Sequence, residues 1–215
     1  MKKVISFSLW GDKPIYCVGA IRNAELAMEH YPGWICRYHV GKSVPETYIK
    51  DLLKQDNVEI SLRKELGDWT GMFWRFEDAS DPDVSIMISR DTDSRIDRRE
   101  ASAVQEWLAS DKAFHIMRDH PYHATQILGG MWGVKNPLLS DMKDMIKNYV
   151  KGDFWQVDQN FLREIIWPIV YDKCTVHDEY FEKKSFPTPR KNKRFVGQAF
   201  DNNDNLLNPE HAELL

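Results

Sequence analysis

The chain has 215 residues, 42% of them hydrophobic and 29% charged, and a formal net charge of −4. That length suits one large domain, or a domain with a tail, and is enough to bury a sizeable core. The acidic balance excludes the basic excess of a nucleic-acid binder or of a protein drawn to anionic membranes.

In chain order, VISFSL at residues 4–9 reads as a short buried strand. The basic start MKK ahead of it looks superficially like a leader. The apolar run stops at Gly11-Asp12 without a small-residue cleavage site, so no signal peptide is expected. Asp12 and Pro14 open a helix with an apolar stripe of Cys17, Ile21, Ala24 and Met28, ended by Pro32-Gly33. WICRYHV is a second strand. SVPE then places Ser43 to cap a helix and Glu46 to reach back, ahead of Tyr48, Ile49, Leu52 and Leu53. VEISL alternates as a third strand, and WTGMFWRF is helical by Met72, Phe73 and Phe76. VSIMIS, at 84–89, is a further strand. Asp97 with Glu100 starts a helix carrying Ala101, Val104, Trp107 and Leu108, and AFHIM is the next strand. DMKDMIKNYV and DQNFLREII are helical, the second broken near Pro168.

This alternation predicts an α/β domain over residues 1–184: three layers, α/β/α, around a mostly parallel sheet. Residues 185–215 read as a Pro-, Lys- and Asn-rich tail, whose apolar island RFVGQAF predicts docking back onto the domain. No apolar run approaches the ~18 residues of a membrane span. Cys17, Cys36 and Cys174 have an odd count and no zinc-type spacing, which fits packed thiols in a reducing compartment, the cytoplasm. A place within a longer polypeptide stays open.

The stretch SRDTDSR carries the chemistry. Asp91 and Asp93 follow a buried strand directly, and residues i and i+2 of an extended segment point the same way. Two close carboxylates repel unless a cation sits between them. A hard divalent ion, Mn²⁺ or Mg²⁺, matches such oxygen ligands and leaves positions for phosphate oxygens. The competing explanation is a solvated acidic turn, or salt bridges to Arg90 and Arg95. Spacing alone leaves both open.

SRDTDSR, REASAVQEWLAS, FHIMRDHPYH and ILGGMWG, in that order, resemble a family of small GT-A-type glycosyltransferases. That family has bacterial members and members from large DNA viruses that decorate capsid glycans. The resemblance is strongest from Met72 to Gly133 and weaker at ISFSLWG, VDQNFL and FVGQAFD. It implies a GT-A-like (Rossmann-like) fold, a nucleotide-sugar donor with UDP-sugars favoured, a divalent metal, and transfer to a hydroxyl of a glycan or glycoconjugate acceptor. Carried over, Asp93 binds the metal directly, and Asp91 shares that role or holds the donor ribose. Phe7, Ser8 and Leu9 line the nucleotide pocket. Asp158 stands beside the acceptor as general base, and His177 corresponds to a late histidine that completes the metal shell.

Other candidates rest on their own chemistry. Arg75 can fix donor polar groups through a fork of hydrogen bonds, against a surface arginine. Gly129 and Gly130 allow close approach of a ligand, and Trp132 offers a face to a sugar; a tight turn and a core tryptophan compete with that. Asp158 also suits an N-cap, and His177 a satisfied surface histidine. Lys193 and Arg194 can close over the diphosphate, against a solvated charge run. His120 and His123 read as loop residues rather than a metal pair, and Arg118 and Asp119 as a structural pair. Two rival functions remain. One is a haloacid-dehalogenase-like phosphatase, with Asp91 as nucleophile, Asp93 as acid/base and the later acids Asp153 and Asp158. The other is a non-catalytic nucleotide-sugar or glycan-binding module.

Overall fold

The computed structural model describes residues 1–149, 152 and 154–215. Among them, one sheet is formed by β1 (Lys2–Leu9), β2 (Ile35–Val40), β3 (Val58–Leu62), β4 (Val84–Ser89), β5 (Phe114–Arg118), β6 (Trp132–Lys135) and β7 (Cys174–Asp178). Its order is β3-β2-β1-β4-β6-β5-β7, and only β6 runs antiparallel to its neighbours. The expected mostly parallel α/β sheet is present.

Helices cover both faces, which gives three layers. The first face holds α1 (Pro14–His30), α2 (Glu46–Leu52) and α3 (Arg98–Ala109) against Ile5, Phe7, Cys36, Tyr38 and Ile88. The second holds the 3₁₀ segment Trp69–Ser80, α4 (Met142–Asn148) and α5 (Val157–Phe161) against Val4, Met87, Phe114 and Trp132. Strand alternation assigns the sides. Phe7 and Leu9 point into the first layer, whereas Ser6 and Ser8 point at the 3₁₀ segment.

Several local expectations shift. In α1 the buried face is Cys17, Ala20, Ala24 and Ala27, and Met28 is exposed. Small residues let this helix sit close to the loop after β4: a Cβ on Gly19 would stand 2.1 Å from the Thr92 carbonyl oxygen. Ser43 does not cap α2. Its hydroxyl accepts from the Gly11 N–H and reaches the Leu66 carbonyl oxygen at 2.5 Å, tying the β1 and β3 loops together. Pro168 does not break its helix. α5 passes through a π-turn at Leu162–Ile166 into α6 (Trp167–Val170), and this change of hydrogen-bond pattern just ahead of Pro168 is where the missing N–H is accommodated. Asp97 does cap α3, accepting the Glu100 N–H at 2.9 Å.

The island in the tail packs against the domain. Phe195, Val196 and Phe200 are buried, Ala199 bridges to Ser94, and the Phe200 N–H donates to the Asp93 carbonyl oxygen at 2.8 Å.

Candidate active site

β4 ends beside β1, where the strand order turns from one half of the sheet to the other. In open α/β sheets, ligands bind in the crevice outside the carboxyl ends of the strands at such a point. The loop Arg90–Arg95 occupies this place.

Among the described residues neither flanking arginine forms an ion pair with these carboxylates. Arg90 turns inward to Glu100 at 2.9 Å, where the Tyr31 hydroxyl also donates. Arg95 pairs with Asp204 of the tail at 2.7 Å. The cation on Asp91 is Arg75, brought by the 3₁₀ segment. Its Nη1 contacts Asp91 Oδ1, and its Nη2 donates to Asp158 Oδ2 at 3.1 Å. Ser8 holds this segment by accepting the Arg75 backbone N–H at 3.1 Å. Arg75 is therefore buried and bridges two acids, and the surface reading falls away.

Asp93 has no lysine or arginine within ion-pairing distance among the described residues. Burial, followed by the neighbouring Asp91, pushes its carboxyl up to about 6. A carboxyl so placed is stabilised by an added cation. Two hard oxygen donors fit Mg²⁺ or Mn²⁺ held by one or two carboxylates plus substrate phosphates. Among the described residues no third acid, histidine or cysteine completes a cluster. Tyr16, in the first turn of α1, joins this rim. Burial and then Asp93 and Asp91 raise its phenol. Its sequence carries no signal beyond a position just after β1.

Gly129 and Gly130 pack against the acids. A Cβ on Gly130 would lie 2.0 Å from Asp91 Oδ2, and one on Gly129 would lie 2.5 Å from Asp158 Oδ2. The Ser89 hydroxyl fixes this turn through the Gly129 carbonyl oxygen at 2.7 Å. The close approach these glycines permit is to protein side chains.

Other candidates move. Trp132 is 0% exposed and stacks on Phe114 with centroids 5.3 Å apart, so its faces are closed to a sugar. Phe7 stacks on Tyr38 in the core and Leu9 is buried, so neither side chain lines a nucleotide pocket. His177 does not join a metal shell. It is buried, with Nδ1 2.9 Å from His115 Nε2, on a strand three places from β4, roughly 14 Å at the usual strand spacing. Asp158 is not the N-cap of its helix, which is Gln156. It is 2% exposed, with Oδ1 accepting the Gln159 N–H and Oδ2 bound to Arg75, and so does not face the cleft as a base. Burial holds its carboxyl above the usual range. Arg118 and Asp119 do not pair with each other. Arg118 binds Asp178 at 2.7 Å, and Asp119 binds Arg99 at 2.8 Å and Arg190 at 2.6 Å. Lys193 turns to Glu213 at 3.3 Å, whereas Arg194 lies over the Phe200 ring, 5.1 Å from its centroid. Asp153 of the phosphatase reading lies outside the described residues.

The seven-stranded mixed sheet with helices on both faces is a GT-A-type fold, which the chain shares with glycosyltransferases of known structure. One is a glycosyltransferase involved in glycosylation of the major capsid of PBCV-1, at 15% identity and TM-score 0.56, over 86% of this chain and 91% of that one. Another is the mannosyltransferase PcManGT from Pyrobaculum calidifontis, in complex with GDP-Man and Mn²⁺, at 12% identity and TM-score 0.56, over 83% of this chain and 55% of that one. A putative glucose-1-phosphate thymidylyltransferase from Bacillus anthracis matches at 12% identity and TM-score 0.55, over 83% and 87%. No protein-family model and no curated protein matches the sequence.

Proposed function

We propose that the chain is a metal-dependent glycosyltransferase that moves a sugar from a nucleotide-diphosphate sugar, a UDP-sugar in the first instance, to a hydroxyl of a glycan acceptor. The observation that carries this reading is Asp93, a carboxyl left without a pairing cation beside Asp91 at the switch point. Asp93 would hold the Mn²⁺, with Asp91 beside it. When bound, the ion supplies the positive charge that stabilises a departing nucleoside diphosphate.

The protein's own groups do the rest. Arg75, anchored by Asp158, fixes the Asp91 carboxylate, so its orientation costs no reorganisation when the donor arrives. Asp158 is thus a positioning residue. Arg194 lies over the ring of Phe200, whose backbone N–H donates to the Asp93 carbonyl oxygen, and in this reading its guanidinium would approach the diphosphate. Two structures of like fold support the reading, the glycosyltransferase of capsid glycosylation and the mannosyltransferase in complex with GDP-Man and Mn²⁺.

The direct test is incubation with UDP-, GDP- and dTDP-sugars and Mn²⁺, with and without a chelator. Metal-dependent release of nucleoside diphosphate supports transfer. Release of pyrophosphate from a nucleoside triphosphate and a sugar phosphate points to nucleotidyl transfer, as in the thymidylyltransferase of like fold. Hydrolysis of a simple aryl phosphate points to the phosphatase, and saturable donor binding without turnover points to the non-catalytic module.

A further inference from the structure

We propose that the cavity between the loop after β5 and the docked tail is a subsite for one pyranose ring of a glycan. It encloses about 220 Å³, below the ~300–1,000 Å³ of sites for drug-sized ligands and suited to a single sugar ring. Its walls include His120, Tyr122, His123, Phe195, Gln198 and His211.

Gln198 is the telling residue. It is 4% exposed, and neither its amide oxygen nor its amide nitrogen has a partner in the protein. Burying an unpaired amide costs about 1–3 kcal/mol. The amide atoms are themselves covered, so a rotation of the side chain toward the cavity it lines would present one acceptor and two donors side by side, the complement of neighbouring hydroxyl groups on a sugar ring.

The walls carry no permanently charged side chain, which argues against an anionic ligand. No acid, lysine or arginine lines the cavity. His120 Nδ1 accepts the Tyr122 N–H at 3.1 Å, and His123 Nδ1 accepts the Asp119 N–H at 3.0 Å. Both nitrogens are therefore unprotonated and both rings uncharged. Tyr122, 66% exposed at the rim, presents an aromatic face held edge-on to His211 with centroids 5.1 Å apart. Aromatic walls with a few placed polar groups are the usual make-up of a small-molecule site.

The position fits an acceptor. Gln198 immediately precedes Ala199, which bridges to Ser94, so the cavity adjoins the loop of Asp93. It lies toward β5, on the opposite side of that loop from β2 and β3. A larger cavity of about 340 Å³ over β2 and β3 has charged walls that pair with one another, Arg37 with Asp78 and Arg63 with Glu77, each at 2.9 Å. The assignment of the ring to an acceptor rests on the transferase reading. Ring binding itself does not.

Saturation-transfer NMR with methyl glycosides of glucose, galactose, mannose, xylose, rhamnose and N-acetylglucosamine, without metal or nucleotide, tests this. At least one should bind the wild-type chain, and its signal should be lost in Gln198→Met and in Tyr122→Ala. Gln198→Met should hold or raise Tm, because it removes an unpaired buried amide. Tyr122→Ala alters an exposed ring and serves if the first variant fails to fold. No binding by the wild-type chain, or equal binding by either folded variant, overturns the subsite. Mn²⁺-dependent nucleoside diphosphate binding by the wild-type chain reports separately on the transferase reading. Donor binding without glycoside binding removes only the subsite, and the reverse leaves a glycan site without the transferase.

Discussion

Arg75 and Asp158 form a buried ion pair, Nη2 to Oδ2 at 3.1 Å, and the same guanidinium reaches Asp91 at the mouth of the cleft. One side chain from the 3₁₀ segment thus ties the end of β4 to the start of α5, elements far apart in the chain.

Removing that link leaves Asp158, 2% exposed, with a buried charge and no cation. Arg75→Ala should destabilise the fold by about 3–5 kcal/mol, the range for breaking one side of a buried pair. Arg75→Lys should fall between, because one ammonium cannot bridge two carboxylates as a fork does. Urea denaturation reads both. A loss under about 1 kcal/mol for Arg75→Ala, the level of an exposed pair, would count against the bridge.

Gly130→Ala should act on the site more than on the fold. Its new methyl would stand 2.0 Å from Asp91 Oδ2, so the carboxylate must move. Displacements near 1 Å can lower turnover by about 10²-fold. Metal-dependent turnover should drop by that order while Tm shifts by a few degrees; unchanged turnover would show that Asp91 needs no fixed position.

Trp132→Ala should cost about 3–5 kcal/mol, as for other large buried aromatics, because Phe114 and Phe76 pack on its ring. Trp132→Phe should keep most of the stability and leave sugar binding untouched. A Trp132→Phe variant with normal Tm and weakened donor binding would restore the tryptophan as a ligand contact.

His115 is fully buried between Trp107 and His177, and burial, with His177 next, holds its imidazole well below the usual range. With the folded value depressed, the unfolded chain takes up a proton near pH 6.5 that the folded chain refuses. This group's contribution is present above that pH and lost as pH falls through it. The drop in Tm between pH 7 and pH 5 should therefore be smaller in His115→Gln than in the wild-type chain. An equal or larger drop in the variant contradicts the neutral buried state.

Much of this was legible from residues alone, for identifiable reasons. β4 and its acidic exit were readable because an apolar run ended abruptly in charge, and Asp97 because a cap and its helix are neighbours in sequence. Phe7 and Leu9 misled because β1 is covered on both faces, so apolarity does not reveal which side chains reach a cleft. β6 went unread because four residues after a Gly-Gly turn show no usable alternation. His177 failed for a spatial reason, since its place three strands from β4 depends on a sheet order that no local pattern encodes. The Arg75–Asp158 link and the unpaired Gln198 amide arise from pairings at long range, and they emerge only once the layers are packed.

The most direct measurement is calorimetric titration of UDP, GDP and dTDP into the wild-type chain and into Asp93→Asn, each with and without Mn²⁺. A metal held at Asp93 requires that one nucleoside diphosphate bind the wild-type chain at least tenfold tighter with Mn²⁺, and that Asp93→Asn, still folded, lose this gain. Equal Mn²⁺-dependent binding by both chains, or binding indifferent to the ion, would contradict a cation at the end of β4.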